Sequence, residues 1–311
     1  MSVRRGKMPG LHPRTEEDRL TRMPSAPLRA LLAGSIDYAG LFPPAALSLP
    51  AVCANYVSAS TSAESWALGR LVVPASRLGE VAVLMPKANR PWRVAALIGD
   101  DLASDANMVR RVNAEGSLVV DAVELRTPTI GAVEQAVRTF EPPCTLYAEI
   151  PISAHIDPLL DAISQAGVRA KMRTGGVTAE AFPTAQQVTH FFRCCNARAV
   201  AFKATAGLHH PLRGDYRLTY DADAVCGTMF GFFNVLLAAA LARMIDDDAI
   251  IVSLLEERDP AALRFDADGI VWREHFMSTH DIAATRDTCA ISFGSCSFRE
   301  PLDDLHHMGL L

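Results

Sequence analysis

Two lysines stand in similar phrases. Val168-Arg169-Ala170-Lys171 runs on into Met172-Arg173-Thr174-Gly175-Gly176, and Val200-Ala201-Phe202-Lys203 into Ala204-Thr205-Ala206-Gly207. In each, an apolar run reaches a lysine and then turns through a loop containing Thr and Gly. Two ammonium groups brought together in a partly dry pocket disfavour each other's protonation, and a neutral amine can attack a carbonyl to form a Schiff base. Carboxylates at other strand ends, Asp37, Asp121 with Glu124, and Glu149, would then move protons. Positions 121 and 124 have opposite parity on a strand, so Asp121 and Glu124 compete for the inward face. Arg173 beside the first lysine suits a carboxylate or a phosphate. Thr174 and Thr205 in the two loops are candidate substrate contacts, as is Asp37. Ser295 and Ser297 flank a turn after Gly294 and would offer hydroxyls and N–H groups to an anion. Asn234, alone in a very apolar helix, either reaches the same mouth or satisfies a backbone group. A different chemistry would pair His209 and His210 with Asp37 or Glu149 around a metal ion. Adjacent histidines on one loop rarely share an ion with good geometry, and no HxH or HxxxH spacing supports them, so no metal and no other cofactor is expected.

Residues placed this way need strands that end together. Short β-rich runs fall at 36–41, 70–74, 93–98, 118–125, 145–150, 168–173, 199–203 and 289–293. Segments with apolar residues three and four apart lie between them at 76–85, 102–113, 130–140, 156–166 and 184–196, with Ser76, Thr129 and Thr184 as N-caps. Alternating β and α units imply a parallel sheet, and eight strands fit a closed (β/α)8 barrel of the TIM type. An open doubly wound sheet is the competing arrangement. No GxGxxG follows the first strand, which removes the usual reason to prefer it. In a barrel, the strand C-termini form the catalytic mouth. More than 80 residues separate Lys203 from the last strand. They include an apolar helix from about Met229, a second helix at 248–257, and a hairpin pairing 264–265 with 270–272.

The residues from Lys171 to Gly207 resemble the deoxyribose-phosphate aldolase group of the class I aldolases. That family carries its Schiff-base lysine in a Lys-x-x-Thr-Gly phrase, matched by Lys171, Thr174 and Gly175. It carries a second lysine in a Phe-Lys-x-x-Gly phrase, matched by Phe202 and Lys203, with Gly207 one place later. Val177, Ala181 and Pro183 fit between them. Val120-Asp121-Ala122-Val123 resembles a family strand whose Asp aids proton transfer, and Glu149 falls where a family strand ends in Glu. Phe293-Gly294-Ser295-Cys296-Ser297 resembles the terminal loop that binds substrate phosphate. The resemblance spans about 117–207 and 289–305 and implies a (β/α)8 fold, Lys171 as nucleophile and Lys203 as its support. Arg173 stands where the family has a small hydroxyl residue, and Ala204-Thr205-Ala206 replaces a Gly-containing phrase. The insertion after Lys203 has no counterpart, and residues 37–44 do not match. Fold and lysine chemistry are carried over by this resemblance; a sugar-phosphate substrate is not.

The whole chain fits this reading. Half of its 311 residues are hydrophobic and 21% are charged, with a net charge of -5. That supports one large core and argues against nucleic acid as a partner. No apolar run reaches the roughly 18 to 20 residues of a membrane span. No signal peptide is evident, and none of the seven cysteines falls in a CxxC pair, so a cytoplasmic protein with reduced thiols is expected. Residues 1–28 read as a disordered extension and 29–311 as a single barrel domain. Within it, 206–288 form a lid-like or oligomer-contact insertion between the last two strands. The expected activity is a class I, Schiff-base lyase acting on a small anionic carbonyl compound. Lys171, Lys203, Asp121 and Glu149 would be catalytic, and Arg173, Thr174, Thr205, Ser295, Ser297, Asp37 and Asn234 would bind substrate. The alternatives are a metal-assisted hydrolase or lyase, and a barrel that binds a ligand without catalysis.

Overall fold

The computed structural model describes residues 24–140 and 144–311. Eight parallel strands close into a barrel. They are β1 (Ile36–Tyr38), β2 (Leu68–Pro74), β3 (Trp92–Leu97), β4 (Leu118–Arg126), β5 (Thr145–Glu149), β6 (Arg169–Arg173), β7 (Phe202–Thr205) and β13 (Ala290–Ser295). Consecutive strands are neighbours, and β13 lies between β7 and β1. The open sheet is thereby excluded. Helices form the outer layer, and most of the buried apolar residues lie between them and the strands. A smaller group, Val72, Ala95, Ala122 and Tyr147, fills the inside of the barrel. Among the described residues no helix is long and apolar enough to cross a membrane.

Local signals explain the helices. Thr129 caps α5 (Ile130–Thr139), and Thr184 makes a reciprocal capping box with Gln187 at α7 (Ala185–Ala197), each satisfying N–H groups the helix leaves free. Ser76 is not a cap. It lies in a short 3-10 turn, and α3 (Leu78–Leu84) starts after Arg77. Helix α4 (Leu102–Glu115) ends at Gly116 in the left-handed region, and α6 (Asp157–Gln165) follows β5. Helices α1 (Ala26–Leu32) and α2 (Leu49–Ser60) were not anticipated. The first of these overlaps the expected N-terminal extension, 1–28, only at residues 26–28, and residues 1–23 of that extension lie outside the described residues.

The segment between β7 and β13 has several parts. Strands β8 (Gly214–Arg217) and β9 (Cys226–Met229) form a hairpin. Helix α8 (Phe232–Leu241) is buried at all ten positions, which fits its unbroken apolar sequence. It is followed by α9 (Asp248–Leu255), then by β10 (Leu263–Phe265), β11 (Gly269–Trp272) and β12 (His275–Ser278), an antiparallel sheet. The expected hairpin is thus the first two strands of three. Helix α10 (Thr279–Thr288) leads into β13, and α11 (Arg299–His307) follows it.

Register decides which residues face inward. Ala122, Glu124 and Arg126 of β4 lie opposite Thr145, Tyr147 and Glu149 of β5. Glu149 lies opposite Lys171, Lys171 opposite Lys203, and Arg173 opposite Thr205. Between β3 and β4 the register slips, because Val94 pairs with Val120 but Ala95 pairs with Ala122. Asp121 is the extra residue, and such a bulge shifts the alternation of everything after it.

Candidate active site

Asp37, Glu124, Glu149, Lys171, Lys203 and Ser292 meet inside the barrel, each from a different strand. Lys203 Nζ donates to Asp37 Oδ2 and to Glu124 Oε1, both at 2.6 Å. Lys171 Nζ lies 2.8 Å from Glu124 Oε2 and 2.8 Å from Glu149 Oε2. The side chains form a row of alternating charge, Asp37, Lys203, Glu124, Lys171, Glu149. Asp37 is held at its other oxygen by the Arg70 backbone N–H at 2.7 Å, and the Ser292 hydroxyl donates to Oδ2 at 2.8 Å. A side chain at Gly69 would collide with the Asp37 carboxylate, so close packing of β1 on β2 helps to fix it.

Burial alone would raise the Glu124 carboxyl, but Lys171 and Lys203 outweigh it and hold the group down at about 2. Burial likewise pushes Lys203 down, and Asp37 and Glu124 reverse this, so its pKa is raised above the ordinary lysine value. Lys203 is therefore a fixed ammonium. The two lysines do not face each other bare, since the Glu124 carboxylate stands between them. Repulsion between ammoniums, expected from the sequence as the means of neutralising Lys171, is largely compensated by that carboxylate.

Lys203, Glu124, Lys171 and Glu149 form the floor of a cavity of about 690 Å³, while Asp37, expected as a substrate contact, is fully buried behind Lys203 and does not line it. Phe42, Pro44, Val72, Leu97, Ile98 and Leu102 make an apolar wall. Arg126 and Arg173 stand on the rim, and Thr205, Gly294, His209 and Cys296 line the other side. Leu218 and Met229, from the segment around the β8–β9 hairpin, close over that side.

Several residues expected in the site are elsewhere. Asp121 pairs with Arg70 at 2.6 Å and Arg93 at 2.8 Å and does not line the cavity. The bulge leaves it below Glu124, which takes the inward place at the mouth. Thr174 is buried and donates to Ala206 O at 2.6 Å and Thr205 O at 3.2 Å, tying two loops together. Asn234 accepts from the N–H groups of Arg213 and Gly231 and donates to the carbonyls of Leu254 and Glu257. All its polar capacity is used in joining the hairpin segment to the helices, and it does not reach the mouth. Ser295 Oγ accepts from Ser297 N–H at 3.3 Å and lies 3.4 Å from His209 Nδ1. Ser297 Oγ accepts from Glu300 N–H at 3.0 Å. Neither serine lines the main cavity; Ser297 lines a smaller one with Tyr38 and Cys296.

His209 and His210 diverge. Burial pushes His209 down to about 4, with His210 adding to the effect, so it is neutral at pH 7 and its 3.6 Å approach to Glu300 is not an ion pair there. His210 Nδ1 lies 2.7 Å from Asp304, with its ring stacked on Tyr216. Among the described residues the ligand atoms that do gather are those of Asp157, His190 and Cys194 on α6 and α7, in the outer helix layer. There Arg198 already holds Asp157 at 2.8 Å.

Sequence reasoning did not single out Ser292 or Arg126. Ser292 carries no distinctive signal. Arg126 is two residues beyond Glu124, so it shares whichever face Glu124 takes. No protein-family model matches the chain, and no curated protein sequence matches it.

Proposed function

We propose that this barrel is a class I lyase that forms a Schiff base through Lys171 with a small anionic carbonyl compound. The observation that carries the reading is Lys171 itself: a lysine on the floor of a cavity, between two carboxylates each 2.8 Å away. Its proton passes to Glu149, the more accessible of the two at 11% side-chain exposure against 2% for Glu124. The freed amine attacks the carbonyl carbon. Loss of water from the carbinolamine, with proton delivery by the same carboxylate, leaves an iminium. A carboxylate of the row takes the proton of a hydroxyl on the β carbon, and the bond between the α and β carbons breaks with its electron pair passing to the iminium. The β carbon leaves as an aldehyde, and the resulting enamine is protonated and hydrolysed. Lys203 remains charged and keeps Glu124 ionised. The metal-assisted alternative loses ground, because the ligand atoms of His209 and His210 do not gather with the carboxylates of the row.

Intact-mass measurement with borohydride across a panel of oxo acids and aldehydes tests this. The expected result is a single reduced adduct, absent in Lys171→Met. Turnover of a substrate with no adduct on any lysine would contradict it.

A further inference from the structure

The sequence assigns an anion to Arg173 together with the loop of Ser295 and Ser297, and the loop half of that site is already occupied. The N–H groups of Ser297 and Glu300, which would serve an anion there, already donate to the Ser295 and Ser297 hydroxyl oxygens. Glu300, in the first turn of α11, accepts from Tyr220 Oη at 2.9 Å and lies 3.6 Å from His209. A carboxylate of the chain itself thus takes the favourable place at that helix start, and it would repel a second anion. The opposite rim has the reverse character. Arg173 lines the cavity, and its guanidinium makes no hydrogen bond or ion pair among the described residues. Arg126 has only a 3.8 Å approach to Glu149, and its side chain is 86% exposed. Such a loose exposed pair is worth little and gives way readily.

Register sets the reach of these two cations. Arg126 lies opposite Glu149, which lies opposite Lys171. Arg173 is two residues past Lys171 on the same face, about 6–7 Å along the strand. Both arginines therefore line the same cavity as Lys171 and Glu149. Phe42, Pro44, Val72, Leu97, Ile98 and Leu102 offer an apolar wall to the rest of the molecule, and the one charged residue beside them, Asp100, is a carboxylate that would not hold a second anion. Resting on the Schiff-base reading, we infer that the substrate is an oxo acid with a hydrocarbon body, its carboxylate held by Arg126 and Arg173. It is not a phosphate held by the loop after β13.

The test uses phenylpyruvate and levulinate, their methyl esters, and glyceraldehyde phosphate. Each is titrated by borohydride trapping, and by calorimetry without borohydride. The acids should trap at lower concentration than their esters or the phosphate, and inorganic phosphate should not compete. In Arg126→Ala/Arg173→Ala the half-maximal concentration for the acids should rise about tenfold or more, since two charge-assisted contacts are lost. The esters serve as the control for folding and should be unchanged. Equal trapping of acid and ester, preference for the phosphate, or an equal shift for acid and ester in the double variant would overturn the inference and leave the Schiff base standing. No adduct from any compound, with calorimetric binding of the acids that the double variant loses, would sustain the inference and remove the Schiff base. Neither adduct nor binding would overturn both.

Discussion

Five charged side chains in a nearly dry row are costly unless each is paired, and removing one partner from such a set typically costs about 3–5 kcal/mol. Glu124 is the middle member and serves both lysines. Glu124→Gln keeps the shape but leaves each ammonium with one carboxylate. Adduct formation should slow by about tenfold, less than the roughly hundredfold or more that loss of a general acid–base residue costs, because Glu124 positions Lys171 rather than taking its proton, and thermal unfolding should occur at lower temperature. An unchanged trapping rate would make Glu124 a purely structural partner. Lys171, Lys203, Asp37 and Glu149 were legible because a charge that ends an apolar run is rarely accidental. Glu124 was legible only as a competitor of Asp121, since a bulge leaves no mark in composition or spacing. Asn234 and Thr174 show the converse: a lone polar residue in apolar surroundings, or beside a lysine phrase, here satisfies the backbone.

At the scale of elements, the bulge in β4 assigns separate work to two acids three residues apart. Asp121 holds Arg70 and Arg93 and has no contact with the lysine row. Asp121→Asn should therefore lower stability by about 1–3 kcal/mol through a half-buried arginine left poorly paired, measured by urea unfolding. The rate of adduct formation per folded molecule should match the parent. A catalytic defect without loss of stability would return Asp121 to the site. Eight strands could be read from their apolar runs, though β7 sits later than expected, at Phe202–Thr205, because Ala199 turns the chain with a positive φ. Helix α2 had a readable signal, with buried residues at 49, 52, 53, 56 and 59. Strands β8 and β9 had almost none, since they are largely exposed and carry few apolar residues.

Across the whole molecule, the barrel must close where the first strand meets the last. Arg286, buried on α10, donates to the carbonyls of Ala290 and Ile291, and to Ala33 O at 3.3 Å. Burial lowers its pKa to about 10, so it is still charged at pH 7. Arg286→Met leaves those carbonyls without the donor and should cost about 2–3 kcal/mol, read from the urea midpoint. Acid should act in two steps. His209 has a folded pKa of about 4 against 6.5 in the unfolded chain, so its contribution is complete above pH 6.5 and is lost as pH falls through 4. That amounts to about 3 kcal/mol. Glu124 follows, its contribution present above pH 4.5 and lost towards pH 2. His209→Asn should flatten the curve of stability against pH between 6.5 and 4. A parent protein equally stable at pH 7 and pH 4.5 would count against a buried, neutral His209.

The central claim is that Lys171 is the nucleophile and Lys203 a permanent ammonium. Peptide mapping of the borohydride-reduced adduct tests it most directly. The label should lie on the peptide containing Lys171, and Lys171→Met should abolish it at every pH. A label on Lys203, or undiminished trapping in Lys171→Met, would contradict the account.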